Sequence, residues 1–327
     1  MTLLVTGSAG HLGEALMRTL SAQGRPARGL DILASPYTDH VGSIGDAGFV
    51  TEAMAGVEAV IHAATLHKPH VATHSRQAFV DVNVTGTLTL LEAAVAAGVK
   101  AFVYTSTTSA FGSALTPAPG APAARITEDV TPIPRNIYGV TKVAAESLCE
   151  LFHRDQRLPV IVLRTSRFFP EQDDNAAVAG AYELANVQAN ELLYRRADIA
   201  DVVSAHQLAV ERAPELGFGR YIVSAPTPFD WLDLPELRAD APAVVRRLFP
   251  ECEALYAARG WKLFPSLDRV YVSERAQAEL GWRPKYDFRH VLACLERGMD
   301  FRSNLARAVG AKGYHAETFA DGPYPVR

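Results

Sequence analysis

Short apolar runs alternate with longer stretches of helical spacing through the first half of the chain. Leu3–Thr6, Ala27–Asp31, Ala59–Ala63, Ala101–Ser106 and Val160–Arg164 are brief, apolar and bounded by turn residues, which predicts strands. Between them, His11–Ala22, Thr51–Ala55, Arg76–Ala97 and Ile137–His153 carry helical patterns. Near-continuous apolar strands alternating with helices predict a parallel sheet covered on both faces, a doubly wound α/β fold. Beyond Arg164 the rhythm breaks. A helical stretch around Ala177–Ala189, a strand at Tyr221–Ser224 and an irregular, helical region from Pro226 to Arg327 follow, with Arg238–Phe249 its clearest helix. This predicts a sheet domain over residues 1–165, rejoined by about 195–225, and a smaller domain built from 166–194 and 226–327. Ala114–Ala124, rich in Pro and Ala, is expected to be a loop, and no internal repeat is visible.

Composition narrows the picture. With 327 residues, 48% hydrophobic and 21% charged, the chain can build a sizeable core and is neither a disordered segment nor a coiled coil. Lys and Arg number 32 against 36 Asp and Glu, a net charge of −4, which argues against nucleic acid as a partner. Cys149, Cys252 and Cys294 are too few and too scattered for a disulfide framework or a zinc pair, so a reducing, cytoplasmic setting is expected. The run from Met1 to Gly7 has no basic segment and no long apolar core, so no export signal is expected there, and no uninterrupted apolar run approaches a membrane span.

The first apolar run ends in Thr6-Gly7-Ser8-Ala9-Gly10-His11-Leu12-Gly13, a GxxGxxG turn after a strand and opening a helix. That context predicts a dinucleotide-binding Rossmann turn. Gly7 allows the tight turn, Gly10 lets backbone approach a diphosphate, and Gly13 lets helix and strand pack closely. The helix N-terminus offers free N–H groups to the anion, with His11 and Leu12 at its start. Asp31 closes the second strand, where a carboxylate accepts hydrogen bonds from ribose hydroxyls and repels a 2′-phosphate, favouring NAD over NADP. Asp46, in Gly45-Asp46, is either an adenine contact or a plain turn residue.

Tyr138-Gly139-Val140-Thr141-Lys142 places a phenol and an ammonium four residues apart, on one helix face. A cation beside the phenol favours the phenolate, and such a Tyr can exchange a proton with an alcohol during hydride transfer. Tyr104-Thr105-Ser106-Thr107-Thr108-Ser109 ends another strand in hydroxyls, at the sheet edge where ligands sit in this fold class.

With these motifs the sequence resembles the extended short-chain dehydrogenase/reductase superfamily, within it the NAD-dependent epimerase/dehydratase family. The resemblance rests on Thr6–Gly13, Asp31, His62-Ala63-Ala64, Asn83 within Val82–Thr87, Ser106–Gly112 and Tyr138–Lys142, and extends to Val270–Val272 and Glu279–Pro284. It implies Tyr138 as acid/base, Lys142 as its partner and a ribose ligand, and Thr107 as the hydroxyl that orients the reacting oxygen. It also implies Ala63, Ala64 and Asn83 on the cofactor side, and a homodimer formed through the helices at 76–97 and 137–153.

The departures bear on substrate. Dehydratases of this family place Asp-Glu directly after the catalytic Thr, where this chain has Thr108-Ser109. Arg167 stands where sugar-nucleotide members carry Asn, and its guanidinium suits a carboxylate or a phosphate. The family's Arg-Asp-Phe-Val-His-Val-Asp-Asp stretch reads Tyr194-Arg195-Arg196-Ala197-Asp198-Ile199-Ala200-Asp201. Thr108, His67, Lys68 and Arg167 are the candidate substrate contacts. His67, His70 and His74 lie close enough to suggest zinc, but no carboxylate or thiol stands at ligand spacing, so no metal is expected. Trp261, Trp282 and Tyr314 are expected in the core or an interface. Taken together, the chain is expected to be an NAD-dependent oxidoreductase or epimerase acting on a secondary hydroxyl or ketone of a sugar or sugar-derived substrate, a nucleotide-sugar or an acidic one among them. A simple dehydrogenase of a non-nucleotide substrate and a non-catalytic NAD sensor are the alternatives.

Overall fold

The computed structural model of the chain describes residues 1–171 and 175–313. Seven strands form one parallel sheet: β1 (Leu3–Thr6), β2 (Ala27–Asp31), β3 (His40–Val41), β4 (Ala59–His62), β5 (Ala101–Thr107), β7 (Val160–Thr165) and β8 (Phe218–Val223). Their order is β3-β2-β1-β4-β5-β7-β8, so the winding reverses between β1 and β4. Ligands in open α/β sheets sit at the strand ends of such a switch point. A separate parallel pair joins β6 (Ala124–Ile126) to β9 (Arg269–Tyr271).

Alternate strand residues feed the two faces. Leu3, Val5, Ile61, Val103 and Ile161 pack under α1 (His11–Ala22) and α8 (Ile199–Leu216). Leu4, Val60, Phe102 and Val162 meet α2 (Ala47–Ala53), α4 (Gly86–Ala96) and α5 (Ile137–Gln156). α3 (Arg76–Phe79) runs through a π-helical turn, Val80–Thr85, into α4. The remaining helices are α6 (Ala176–Ala181), α7 (Leu184–Glu191), α9 (Leu234–Leu248), α10 (Cys252–Ala257), α11 (Glu274–Glu279), α12 (Phe288–Glu296) and α13 (Asn304–Val309). A second apolar cluster, including Leu192, Leu237, Val244, Phe249, Tyr256 and Phe288, gathers α7, α9, α10 and α12.

Several elements differ from expectation. α2 starts four residues before Thr51 because Asp46 caps it, its Oδ1 accepting from Phe49 N–H at 3.1 Å. The single helix expected over 76–97 is interrupted by the π turn. By length and composition alone, 76–96 is the one helix among the described residues long and apolar enough to cross a membrane, but Leu90, Leu91 and Ala94 are buried in the core. α8 was not anticipated, although Val202, Val203, Ala209, Val210 and Ala213 form a buried stripe at helical spacing. The helix expected at 177–189 is two short helices, and the region after 226 contributes a strand, β9. Trp282 is fully buried, Trp261 is half-buried, and Tyr314 lies outside the described residues.

Candidate active site

The strand ends of β1, β2, β4, β5 and β7 open into one cavity of about 610 Å³. At its β1 edge the glycines have separate physical tasks. Gly7 has φ +75°, and a Cβ there would lie 2.7 Å from Ala64 N. A Cβ on Gly13 would sit 1.9 Å from Gly7 O, so α1 packs directly on the turn. Gly10 meets only Gly7 O, at 3.3 Å, and otherwise faces the cavity. No side chain caps α1, and the helix starts on the cavity wall, where an anion would meet its N-terminus.

His11, Leu12, Ala63 and Ala64 share this wall. Asp31 lies on it as well, its Oδ2 accepting from Ala9 N–H at 3.0 Å and Oδ1 from Leu33 N–H at 3.0 Å. An open diphosphate cradle with a carboxylate at the adjacent strand end fits a dinucleotide. Asp46 does not join them; it is exposed and spends its side chain on capping α2.

Asn83 is not on the cavity wall either; it braces the wall from behind. Its Oδ1 accepts from Thr65 Oγ1 and Leu66 N–H, both at 2.8 Å, while Nδ2 donates to Leu66 O at 3.1 Å and Thr141 Oγ1 at 3.0 Å. The Asn83 carbonyl accepts from Thr87 Oγ1 at 2.7 Å, so His62 Nε2–H donates to Thr87 Oγ1 and Nδ1 accepts from Thr6 Oγ1. Burial, helped by the Lys142 charge, holds His62 neutral, with its pKa down at about 3. One chain of hydrogen bonds thus ties the glycine turn, the loop after β4 and α5 together.

Tyr138 and Lys142 both line the cavity from α5, which Asn136 starts by accepting from Gly139 N–H at 3.2 Å. Thr107 ends β5 and lines the same cavity as the Tyr138 phenol. Lys142 Nζ donates to Thr105 O at 2.6 Å and lies 4.3 Å from the Tyr104 ring centroid. Burial pushes Lys142 down to about 7, opposed by Glu146 and Cys149. The phenol moves the other way from expectation: burial raises Tyr138 to about 12, and the neighbouring Thr107 hydroxyl offsets that only in part. The ammonium is occupied at the Thr105 carbonyl rather than at the phenol oxygen.

Beneath this trio lies a buried ion pair that the sequence reading passed over. Glu146 accepts from Ser106 Oγ at 2.5 Å, and Arg164 Nη2 sits 2.7 Å from its Oε2. Glu146 follows Lys142 by four residues, a charged residue on the buried helix face, and that spacing was the available signal.

Thr108, His67, Lys68 and Arg167 also line the cavity, joined by Arg195. The His67 ring centroid is 6.1 Å from that of Tyr138. Sequestration, with the His70, Lys142 and His11 charges nearby, pushes His67 down to about 3. His70 and His74 rings meet at 5.2 Å, and no group of three or more metal-binding side chains is gathered among the described residues. Beside Arg195, Arg196 is buried.

A family model described as the NAD dependent epimerase/dehydratase family matches residues 3–216. The chain belongs to that family. It is 31% identical over 171 residues to a UDP-glucose 4-epimerase of Rhizobium meliloti, covering 50% of each chain. Against a dTDP-glucose 4,6-dehydratase of Streptomyces griseus it is 32% identical over 192 residues, 52% of this chain and 56% of that one. The chain spans about half the length of the curated relatives it matches. Among solved structures, a short-chain dehydrogenase/reductase superfamily protein from Agrobacterium tumefaciens with bound NAD superposes with TM-score 0.64 at 25% identity, covering 91% of this chain and 98% of that one. A UDP-glucose 4-epimerase from Thermotoga maritima shares the fold, with TM-score 0.63 at 22% identity over 89% and 96% of the two chains.

Proposed function

We propose that the chain is an NAD-dependent oxidoreductase or epimerase acting on a secondary hydroxyl or ketone of a sugar or sugar-derived molecule. The observation that carries this reading is that Tyr138, Thr107 and Lys142 share one cavity with the glycine cradle and Asp31. Gly7, Gly10, Gly13 and the start of α1 would hold the diphosphate, Asp31 the adenosine ribose, and Lys142 the second ribose. Bound there, the dinucleotide supplies the site that takes up or returns hydride.

The rest falls to this chain's side chains. Thr107 orients the substrate oxygen toward Tyr138. Tyr138 then takes the alcohol proton as its carbon is oxidised, or gives a proton back on reduction. A phenol held at about 12 is protonated at neutral pH, a state suited to donating. Lys142, leaving the Thr105 carbonyl for a ribose hydroxyl, would bring positive charge toward the phenol and favour its ionised form. Thr108 and Ser109 offer neither the acid nor the base that elimination of water needs, so dehydration is not the reading favoured.

In this reading residues 1–165 with about 195–225 are the dinucleotide domain, and 166–194 with 226–327 shape the substrate side. Leu192, Leu237, Val244, Phe249 and Phe288 form an apolar cluster of their own, which suits this division, while Ala276, Leu280, Trp282 and Val309 pack back onto the sheet. α4 and α5 are the faces we assign to a homodimer, and exposed Val140 and Leu151 on α5 suit such a contact.

The test is to load purified protein with NAD and offer a panel of sugars and sugar derivatives. Accumulating reduced cofactor marks a dehydrogenase; inverted product stereochemistry without it marks an epimerase. If NAD fails to bind, or neither signal appears with any compound, the reading falls.

A further inference from the structure

Lys142 and Glu146 stand one turn apart on the buried face of α5, and their head groups take adjacent residues of β5. Lys142 Nζ donates to Thr105 O at 2.6 Å, and Ser106 Oγ donates to Glu146 Oε1 at 2.5 Å. Thr107, the residue that would orient the substrate oxygen, comes next. Ser106 is held at its backbone as well, its carbonyl accepting from Thr165 Oγ1 at 2.9 Å. Thr165 is in turn the register partner of Thr107. The strand end is thus bound to α5 at two consecutive residues and to the side chain of a β7 residue.

Arg164 completes the arrangement. It is the register partner of Ser106, so both side chains leave the sheet on the α5 face and reach one carboxylate. Its Nε lies 3.1 Å from Glu146 Oε1 and its Nη2 2.7 Å from Oε2, a two-pronged grip. Nη1 donates to Glu128 O at 3.3 Å, and the guanidinium carbon rests 4.9 Å from the Phe111 ring centroid. Arg220 Nε, from β8, is 3.7 Å from Oε2. The Glu146 and Arg164 side chains are only 2% and 4% exposed. A buried ion pair of this kind often stabilises a protein no better than apolar side chains of the same volume. Its charge therefore invites a use beyond stability, and one turn back along the helix is a buried ammonium.

Burial draws the Lys142 ammonium down to about 7, and the Glu146 charge is the first of the influences that oppose it, Cys149 the second. The Cys149 thiol is itself pushed up by burial and keeps its proton, so it brings no charge. Tyr138 on α5, at about 12, and Tyr104 on β5, raised well above its usual value by burial, are neutral phenols. His62 on β4 and His67 on the loop after it are held neutral by burial, each near 3. Among these neighbours Glu146 supplies the negative charge that an ammonium in a dry site needs.

We propose that Glu146 is a positioning residue for the reaction: gripped by Arg164, it fixes the Ser106–Thr107 strand end and serves as the buried counter-charge of the Lys142 ammonium. This rests on the redox reading above and adds to it a residue that acts through Ser106 and Lys142. With its charge kept at neutral pH, Lys142 can serve the dinucleotide ribose; with Ser106 fixed, Thr107 is held where Tyr138 works.

The test is the pH dependence of NAD binding, read as a dissociation constant by fluorescence titration between about pH 5 and pH 9, with steady-state rates alongside. The wild-type constant should begin to rise near pH 7, where Lys142 gives up its proton, and Lys142→Met should bind more weakly without that rise. Glu146→Gln still accepts from Ser106 but carries no charge, so the rise should begin about one unit lower. Ser106→Ala keeps the charge and loses the anchor; the rise should stay in place while turnover falls by about tenfold or more. Should Glu146→Gln melt early, Glu146→Leu with Arg164→Met replaces the pair by apolar bulk. A role in stability alone would return the wild-type pH profile along with the stability, whereas the proposed role leaves the rise displaced. An unmoved rise in Glu146→Gln, a wild-type profile in the double variant, a rise that persists in Lys142→Met, or wild-type turnover in Ser106→Ala would each overturn the proposal. Failure of the wild type to bind NAD at any pH would instead remove the redox reading.

Discussion

Lys142 donates an ammonium proton to the carbonyl oxygen of Thr105 at 2.6 Å, joining α5 to the end of the strand that carries Thr107. The acceptor is neutral, so it does not repay the burial of the cation, which is why Lys142 is held near 7. A ribose hydroxyl arriving at this site would compete with that carbonyl for the ammonium.

Tyr138 and Lys142 should therefore separate experimentally. Tyr138→Phe is expected to retain NAD affinity and lose turnover by about 10²–10⁴-fold, the usual contribution of a positioned proton donor. Lys142→Met should lose turnover and also weaken NAD binding. Fluorescence titration of NAD against both variants, beside steady-state rates, checks this; full activity in Tyr138→Phe would end the assignment.

Asp31 fills the end of β2 with both carboxylate oxygens held by backbone N–H groups. Asp31→Ala should erode the preference for NAD over NADP by about tenfold or more, since it removes a charged repulsion and a hydrogen-bond acceptor together. The ratio of dissociation constants for the two dinucleotides is the measurement. An unchanged ratio would show that selection lies elsewhere.

Removing one half of the Glu146–Arg164 pair leaves a buried charge without its partner. Glu146→Leu is expected to cost about 3–5 kcal/mol, while Glu146→Leu with Arg164→Met should recover much of that loss. Urea denaturation of wild type, single and double variants reads the difference. A single variant as stable as the wild type would refute the buried pair.

Asn83→Ala removes four hydrogen bonds that brace Thr65, Leu66 and α5. A stability loss of about 1–3 kcal/mol is expected from the buried groups left unsatisfied. The loop before His67 and Lys68 should also loosen, so KM should rise more than kcat falls. Equal melting curves, or an effect confined to kcat, would contradict the bracing role.

Asp201 gives the pH dependence a sign. Burial raises its carboxyl from 3.8 to about 6, against the N–H groups of Tyr286 and Lys285. The folded chain keeps a proton there that the unfolded chain releases, so its contribution is fully present below about 3.8 and is lost as pH rises through about 6. Asp201→Asn should flatten that part of the profile. Melting wild type and variant side by side from pH 4 to 7, at about half-unit steps, should show the wild type losing up to about 3 kcal/mol relative to the variant.

What could be read from the linear chain was local. The GxxGxxG turn, the strands and α1 announce themselves because helix and strand periods, and the steric needs of glycine, are set by neighbours a few positions away. The Tyr138–Lys142 spacing is legible for the same reason. α8 was equally legible, as a stripe of Val and Ala at helical spacing. Asp46 shows a limit of a different kind: an aspartate before a helix is chemically able either to meet a ligand or to cap, and only its distance to Phe49 N–H decides.

Tertiary structure decided everything that depends on residues far apart meeting in a space closed to water. The sequence could name Arg167, but not that the buried Glu191 carboxylate pairs with Arg195 and Arg196 nearby. It could expect a lowered phenol pKa, but not that burial would outweigh a cation committed to Thr105. Chain order by itself determined which elements form and what chemistry each can carry. Burial and long-range pairing, which exist only once the sheet has closed over its helices, determined the charge each group bears and the direction in which it points.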